Sequence, residues 1–122
     1  MLEAKINVSG TNVSVLVTHF GNTRDYLDRY LQTHYTRDLI EGYYEGKSFD
    51  ISDRVLFLSY LTSWPLHFTH SMLVDGGLKD TTEDTERYCQ YIMYRNLNFH
   101  NFTRIDTGTT SDTEIQVFAA SL

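Results

Sequence analysis

The side chains best suited to chemistry near neutral pH are spread along the chain rather than gathered in one motif. His19 closes an apolar stretch in Thr18-His19-Phe20. An imidazole at a strand end is able to hold a phosphate or move a proton, or simply to pack. His67 and His70 stand three apart after Trp64-Pro65, with Asp75 further on. That spacing suits a metal on a regular helix, but no helix is expected here, so a loop-anchoring or solvent-facing pair is the default reading. The acidic run of Asp80, Glu83, Asp84 and Glu86 lacks the alternation and central glycine of a calcium loop and reads as a solvated face. Cys89 is the single cysteine. It permits neither an internal disulfide nor a cysteine zinc cluster, and it reads as a buried thiol rather than a nucleophile. His34, His100 and Asp106 receive no catalytic role: His34 fits an inward helical stripe, His100 falls at a hairpin, and Asp106 ends a strand. Three sequons begin at Asn7, Asn12 and Asn101. Glycans there would matter only if the chain faces a secretory lumen.

These groups need a scaffold, and the bulk composition supplies one. In 122 residues, 41% are hydrophobic and 21% charged, with seven Phe and nine Tyr. This is the profile of a folded chain with one core, spanning residues 1–122 as a single domain or half-domain. The net charge of -6 without a lysine-rich block argues against binding nucleic acid, whose backbone demands clustered cations. A phosphorylated small ligand needs only a few local groups and stays open. No apolar stretch is long enough to span a bilayer, and the start, Met-Leu-Glu-Ala-Lys, lacks the apolar core of a signal peptide. Membrane contact is therefore expected through a partner or through segments outside this chain.

The pattern predicts strands over Lys5 to Val8 and Val13 to His19, joined by a turn at Ser9-Gly10-Thr11-Asn12. Val13, Val15 and Val17 share one face, and Ser14, Leu16 and Thr18 the other. A helix follows, capped by Asn22 or Thr23 and running to about Gln32 to Arg37. Leu27, Tyr30, Leu31 and His34 form its expected inward stripe, with Arg24, Asp25, Asp28 and Arg29 facing water. The continuous apolar run Arg54 to Tyr60 predicts a buried strand. Leu61 to Glu86 reads as a long irregular region. Tyr88 to Tyr94 reads as a strand, a turn at Arg95-Asn96-Leu97-Asn98 follows, and Asn101 to Ile105 is expected as its antiparallel neighbour. A last strand covers Glu114 to Ala119. Arg87 and Arg95 are expected to pair with the acidic loop.

Four segments in order carry a resemblance: Val17-Thr18-His19-Phe20-Gly21-Asn22, Leu58-Ser59-Tyr60-Leu61-Thr62-Ser63, Arg87-Tyr88-Cys89-Gln90-Tyr91-Ile92-Met93-Tyr94-Arg95 and Ser111-Asp112-Thr113-Glu114-Ile115-Gln116. Together with the approach Lys79 to Glu86, they resemble the C-terminal domain of Cwh43-like, PGAP2-interacting proteins. These are a divergent branch of the endonuclease/exonuclease/phosphatase superfamily, and the chain resembles the back half of that domain. The resemblance implies an α/β fold: part of a four-layer α/β sandwich, mostly antiparallel, with one main helix. It also implies a role near remodelling of glycosylphosphatidylinositol anchor lipids and association with secretory-pathway membranes. Active superfamily members use a divalent metal, often magnesium, to polarise a water against a phosphate ester.

Laid on this chain, the resemblance places His19 at the scissile phosphate, with Asn22 on the same rim. Tyr60 and Thr62 fall where active members carry a carboxylate and an amide, and tyrosine cannot replace aspartate as a magnesium ligand. Gln90 stands where Asp or Glu is usual and brings no charge. Asp112 keeps the orienting-carboxylate position. Thr113 holds the general-base position and is a poor base, and Glu114 beside it projects to the other side of a strand.

The expected function is a non-catalytic module linked to anchor-lipid remodelling that recognises a phosphorylated glycolipid or a protein partner. The residual catalytic positions are His19, Asp112, Thr113 and Glu114, and the ligand rim is His19, Asn22, Tyr60, Thr62, Gln90 and Asp112. No cofactor is expected. The first alternative is a metal-dependent phosphodiesterase using Mg or Mn, completed by a missing N-terminal half. The second is a structural subunit of a larger assembly. Since half a sandwich exposes apolar sheet, another chain or the missing half of the domain is the expected partner.

Overall fold

The apolar run that reads most plainly as a strand is also the centre of the observed architecture. In the computed structural model, which describes residues 1–21, 24–42, 49–84, 89–108 and 114–122, β3 (Arg54–Tyr60) lies third in a five-stranded sheet. Its neighbours in order are β1 (Leu2–Val8), β2 (Thr11–His19), β5 (Gln90–Arg95) and β4 (Lys79–Asp80), giving β1-β2-β3-β5-β4. Only the β2–β3 pairing is parallel; the others are antiparallel. Helix α1 (Tyr26–Glu41) makes the β2-to-β3 crossover that a parallel pair requires. A shorter helix, α2 (Phe68–Asp75), packs beside it. A second sheet holds β6 (Asn98–Ile105) and β7 (Ile115–Ser121). The fold is mixed α/β, with two sheets and two helices, as a partial sandwich of the expected type requires.

Local chemistry accounts for the elements and corrects several expectations. The first hairpin turns on Ser9 and Gly10 alone, both at positive φ (50° and 84°). Such a two-residue primed turn matches the twist of the paired strands. Asn22 and Thr23 lie outside the described residues, and the helix is capped instead by Asp25, whose Oδ1 accepts from Asp28 N at 2.9 Å. It runs on to Glu41 and ends at Gly42 in the left-handed conformation.

The expected inward stripe of α1 is out of phase. Leu27 and Leu31 are 64% and 57% exposed, whereas Thr33 and Thr36 are 0% and 3% exposed. Burying a threonine costs little when its hydroxyl is satisfied locally, and Thr33 Oγ1 donates to Arg29 O at 2.7 Å. The region after Leu61 is not irregular throughout: it contains α2 and β4. Nor is β6 the neighbour of β5. It leaves the main sheet after Asn96-Leu97 and pairs with β7.

Strand alternation gives the main sheet two unequal faces. Leu16, Val55, Phe57, Tyr91 and Met93 point toward the helices and are fully buried with Leu39 and Ile40. Val13, Val15, Val17, Leu56 and Leu58 point to the opposite, inner face. There β6 and β7 pack on β5 through Phe99 and Phe118 against Tyr94, at ring-centroid distances of 5.9 and 5.4 Å, and Val13 is buried as well. Leu2, Ile6, Val8 and Val17, at the β1–β2 end, remain exposed.

Candidate functional site

Register, rather than sequence proximity, assembles the candidate rim. His19 is the last residue of β2 and lies opposite Tyr60, the last of β3; Tyr60 in turn lies opposite Gln90, the first of β5. Three residues far apart in the chain therefore form one row across the end of the sheet, all on its inner face. His19 and Tyr60 stack, with ring centroids 4.7 Å apart and planes 15° apart. His19 Nδ1 donates to the carbonyl of Phe20 at 2.7 Å, so in the neutral ring Nε2 is the acceptor. No described residue engages Nε2, which leaves the exposed edge of the ring available to a ligand. An apolar trough of about 500 Å³, lined by Leu2, Val17 and Leu58, ends at this stacked pair.

Gln90 is not a free rim amide. Its Oε1 accepts from Glu114 N at 3.2 Å and its carbonyl accepts from Gln116 Nε2 at 3.3 Å. It ties the start of β5 to the start of β7, and so joins the two sheets. Glu114 is likewise engaged: Oε1 accepts from Gln116 Nε2 at 2.7 Å, and Oε2 lies 3.6 Å from Arg104 Nε. Asn22, Asp112 and Thr113 lie outside the described residues.

Thr62 does not join the row. It is buried at φ 49°, an uncommon conformation for a β-branched residue. Its hydroxyl lies 2.9 Å from Gly21 O and 2.7 Å from Leu61 O. Arg29 Nη1 donates to its carbonyl at 3.1 Å, and Tyr91 OH fixes the next residue through Ser63 O at 2.7 Å. These bonds hold the loop after β3, and they turn Thr62 toward a different cavity of about 290 Å³ shared with Arg29, Trp64 and Phe68.

The remaining chemical candidates resolve into structural parts. His70 is buried, accepts from Leu66 N at Nδ1 (3.1 Å), and meets Asp80 Oδ2 through Nε2 at 2.7 Å. Both ring nitrogens are thus spent joining α2 to β4. His67 is exposed at the N-cap of α2, so the two histidines do not converge. Arg95 pairs with no described residue of the acidic loop: it is buried and donates to Ile40 O at 2.7 Å and Asp50 O at 2.9 Å. Burial lowers its pKa, against the opposing pull of Asp53 and Asp50. The acidic residue Asp84 pairs instead with Arg104 at 2.7 Å. Arg87 and Glu86 lie outside the described residues. Cys89 is buried. Asp106 caps its own turn through Gly108 N, and His100 meets Ser121 Oγ at 2.9 Å. His34 is half-buried and packs 4.3 Å from Tyr30, on the flank of α1 rather than in the core. Asn7 and Asn12 face each other across the first hairpin at 3.1 Å, and Asn101 is exposed on β6.

A divalent metal does not fit the described part of the rim. The row offers an imidazole, a phenol and an amide already bonded through its oxygen, with no carboxylate to meet a hard cation. Among the described residues no three His, Cys, Asp or Glu side chains are placed to hold a metal, and none of their helices is long and apolar enough to cross a membrane.

Residues 1–121 match the family described as PGAP2IP, C-terminal nuclease-like domain. Protein cwh43 of Schizosaccharomyces pombe is 34% identical over 118 residues, which is 94% of this chain but 11% of that protein. Sphingomyelinase C from Streptomyces griseocarneus superposes with a TM-score of 0.53 at 16% identity, over 95% of this chain and 52% of that enzyme. At that identity the enzyme speaks for the fold alone. The chain thus spans about a tenth of the length of its curated relative and about half of that enzyme. It belongs to the family of the PGAP2IP C-terminal nuclease-like domain, a divergent branch of the endonuclease/exonuclease/phosphatase superfamily.

Proposed function

We propose that this chain is a non-catalytic recognition module in the remodelling of glycosylphosphatidylinositol anchor lipids, and that its rim reads a phosphorylated glycolipid. The observation that carries the reading is the His19–Tyr60–Gln90 row. Where metal-dependent relatives need carboxylates, it presents a stacked imidazole–phenol pair and an amide spent on joining two sheets. His19 Nε2 is suited to accept from a sugar hydroxyl or, once protonated, to meet a phosphate oxygen. The stacked rings give a flat aromatic wall of the kind that packs against a sugar face.

The chain acts in this reading as half of a sandwich. The exposed inner-face residues Leu2, Ile6, Val8 and Val17 and the cleft of about 560 Å³ between β1–β3 and β7 await a second layer. The rest of a longer protein, or another chain, supplies it. Association with secretory-pathway membranes belongs to the same proposal.

Calorimetric titration of magnesium and manganese into this chain, and into a version extended to full domain length, tests the reading. Both folded proteins are expected to give no saturable heat. Saturable binding to the extended version alone would instead favour a phosphodiesterase whose metal ligands lie in the other half.

A further inference from the structure

The out-of-phase stripe on α1 has a counterpart next door. Leu27 and Leu31 project from the helix beside Tyr26 and Tyr30. Tyr30 stacks on Phe68 of α2 at 5.4 Å, and Tyr26 lies 6.4 Å from the same ring. The loop between β3 and α2 adds Trp64, which borders one cavity with Tyr26 and Phe68, and brings the exposed Leu66 two residues ahead of Phe68. Leu66 is 75% exposed, Leu27 64% and Leu31 57%. All of this lies in the helical layer, on the opposite side of the main sheet from the inner face. A layer added on the inner face lies across the sheet from this surface.

The chemistry of the surface selects its occupant. Most of its aromatic residues combine an apolar body with a polar tip, the type favoured where hydrocarbon meets water. Three of them, Tyr26, Trp64 and Phe68, border a cavity of about 290 Å³ together with Arg29, Ser63 and His67. Arg29 commits only Nη1, to Thr62 O at 3.1 Å. Its other N–H groups have no partner among the described residues and form a fork suited to phosphate. The nearby carboxylates are occupied: Asp25 caps Asp28 N, and Asp28 accepts from Gln32 Nε2 at 3.0 Å. A protein groove would meet the leucines but gives the open guanidinium edge of Arg29 no specific partner. A phospholipid surface offers a phosphate layer directly above hydrocarbon and matches both features.

We propose that the Tyr26–Leu31 face of α1, with Trp64, Leu66 and Phe68, seats this domain on a phospholipid bilayer, with a lipid phosphate held by Arg29. Membrane contact is thereby assigned to the chain's own surface as well as to segments outside it. The proposal does not rest on the His19 rim.

Trp64 is the only tryptophan, so its emission reports contact directly. The whole 122-residue chain is titrated with phosphatidylcholine vesicles, with and without brominated acyl chains. Binding is expected to shift the emission to the blue, and the brominated lipid to quench it. The double variant L27D/L31D, folded by circular dichroism, is expected to bind at least about tenfold more weakly. Arg29→Gln is expected to lose several-fold while keeping residual insertion. Inorganic phosphate alone is expected to leave the emission unchanged. No shift at millimolar lipid from folded wild-type chain overturns the proposal and hands the face to a protein partner. Unchanged binding by the double variant, or an equal shift with inorganic phosphate, overturns it as well. Phosphatidylcholine contains no glycolipid, so failure here leaves the rim reading standing. Loss of glycolipid binding in His19→Ala with vesicle binding intact identifies the rim as the separate element.

Discussion

The two faces of the five-stranded sheet are built from the same strands and have opposite fates. Toward the helices, Leu16 and Phe57 are 0% exposed; one residue further along β2, Val17 on the inner face is 44% exposed. The helical side is a finished core closed by α1, α2 and the loop through Phe49. The inner side is finished around Tyr94, Ile92 and Val13 but left open at Leu2, Ile6, Val8 and Val17. Stability of the isolated chain must therefore reside in one layer boundary, while the other boundary is an interface in waiting. Hydrophobicity of a residue does not reveal which side it serves, since Val17 is no less apolar than Leu16.

The largest effect expected from this asymmetry comes from Phe57→Ala. Deleting a fully buried ring and leaving a cavity costs about 3–5 kcal/mol, enough to unfold much of a chain of this size. Val17→Asp, on the facing side of the same sheet, is expected to change the stability of the isolated chain by less than about 0.5 kcal/mol. Urea unfolding of both variants checks the contrast. Equal losses would mean that the inner face is already covered in solution, for example by self-association.

Arg95 sharpens the comparison, because it is the charged residue built into the finished side. It satisfies the Ile40 carbonyl in the last turn of α1, a helix that has no basic residue of its own there. It also reaches Asp50 O in the segment leading to β3. Arg95→Met keeps the bulk but strands two carbonyls. The expected loss is about 2–3 kcal/mol, with hydrogen exchange in the last turn of α1 accelerating more than elsewhere. Uniform acceleration along the chain would show that Arg95 supports the core as a whole rather than this junction.

The same asymmetry explains how far the sequence could be read. β3 was legible because a strand covered on one face and half-covered on the other shows a continuous apolar run. The first hairpin was legible because Ser9-Gly10 tolerates positive φ. The period of α1 was legible but its phase was not: pattern reading favours leucine for the core, and here two threonines are buried while Leu27 and Leu31 face out. The eight-residue α2 escaped because its N-cap, His67, makes no capping bond, and because its buried positions include Thr69 and His70. The departure of β6 was hidden because a two-residue turn after β5 suggests a hairpin, whereas β6 crosses to the second layer. His19, Tyr60, Thr62 and Gln90 were nameable from the resemblance, but their alignment is a matter of register. That register brings His19, Tyr60 and Gln90 into one row and turns Thr62 toward the Arg29 cavity instead. No signal along the chain pointed to that cavity, which two separate segments build, one around Tyr26 and Arg29 and the other from Thr62 to Thr69.

The smallest effect concerns the loop that Arg95 grips. The Asp50 carboxyl is held below its ordinary value, first by the backbone N–H of Ser52 and next by the Ser52 hydroxyl, with the Arg95 charge acting in the same direction against some desolvation. Asp50 Oδ1 lies 2.8 Å from Ser52 N and 2.7 Å from Ser52 Oγ. A carboxylate whose folded pKa lies below its unfolded value favours folding at pH above the unfolded value, about 4. That advantage fades as pH falls through the folded value, when the group is protonated in both states. Asp50→Asn should therefore melt slightly lower than wild type near pH 6, and the gap should close as pH falls below about 4. Melting curves across that range give the answer. A gap that persists unchanged at low pH would mean that the turn geometry at Asp50, rather than its charge, steadies the segment that Arg95 binds.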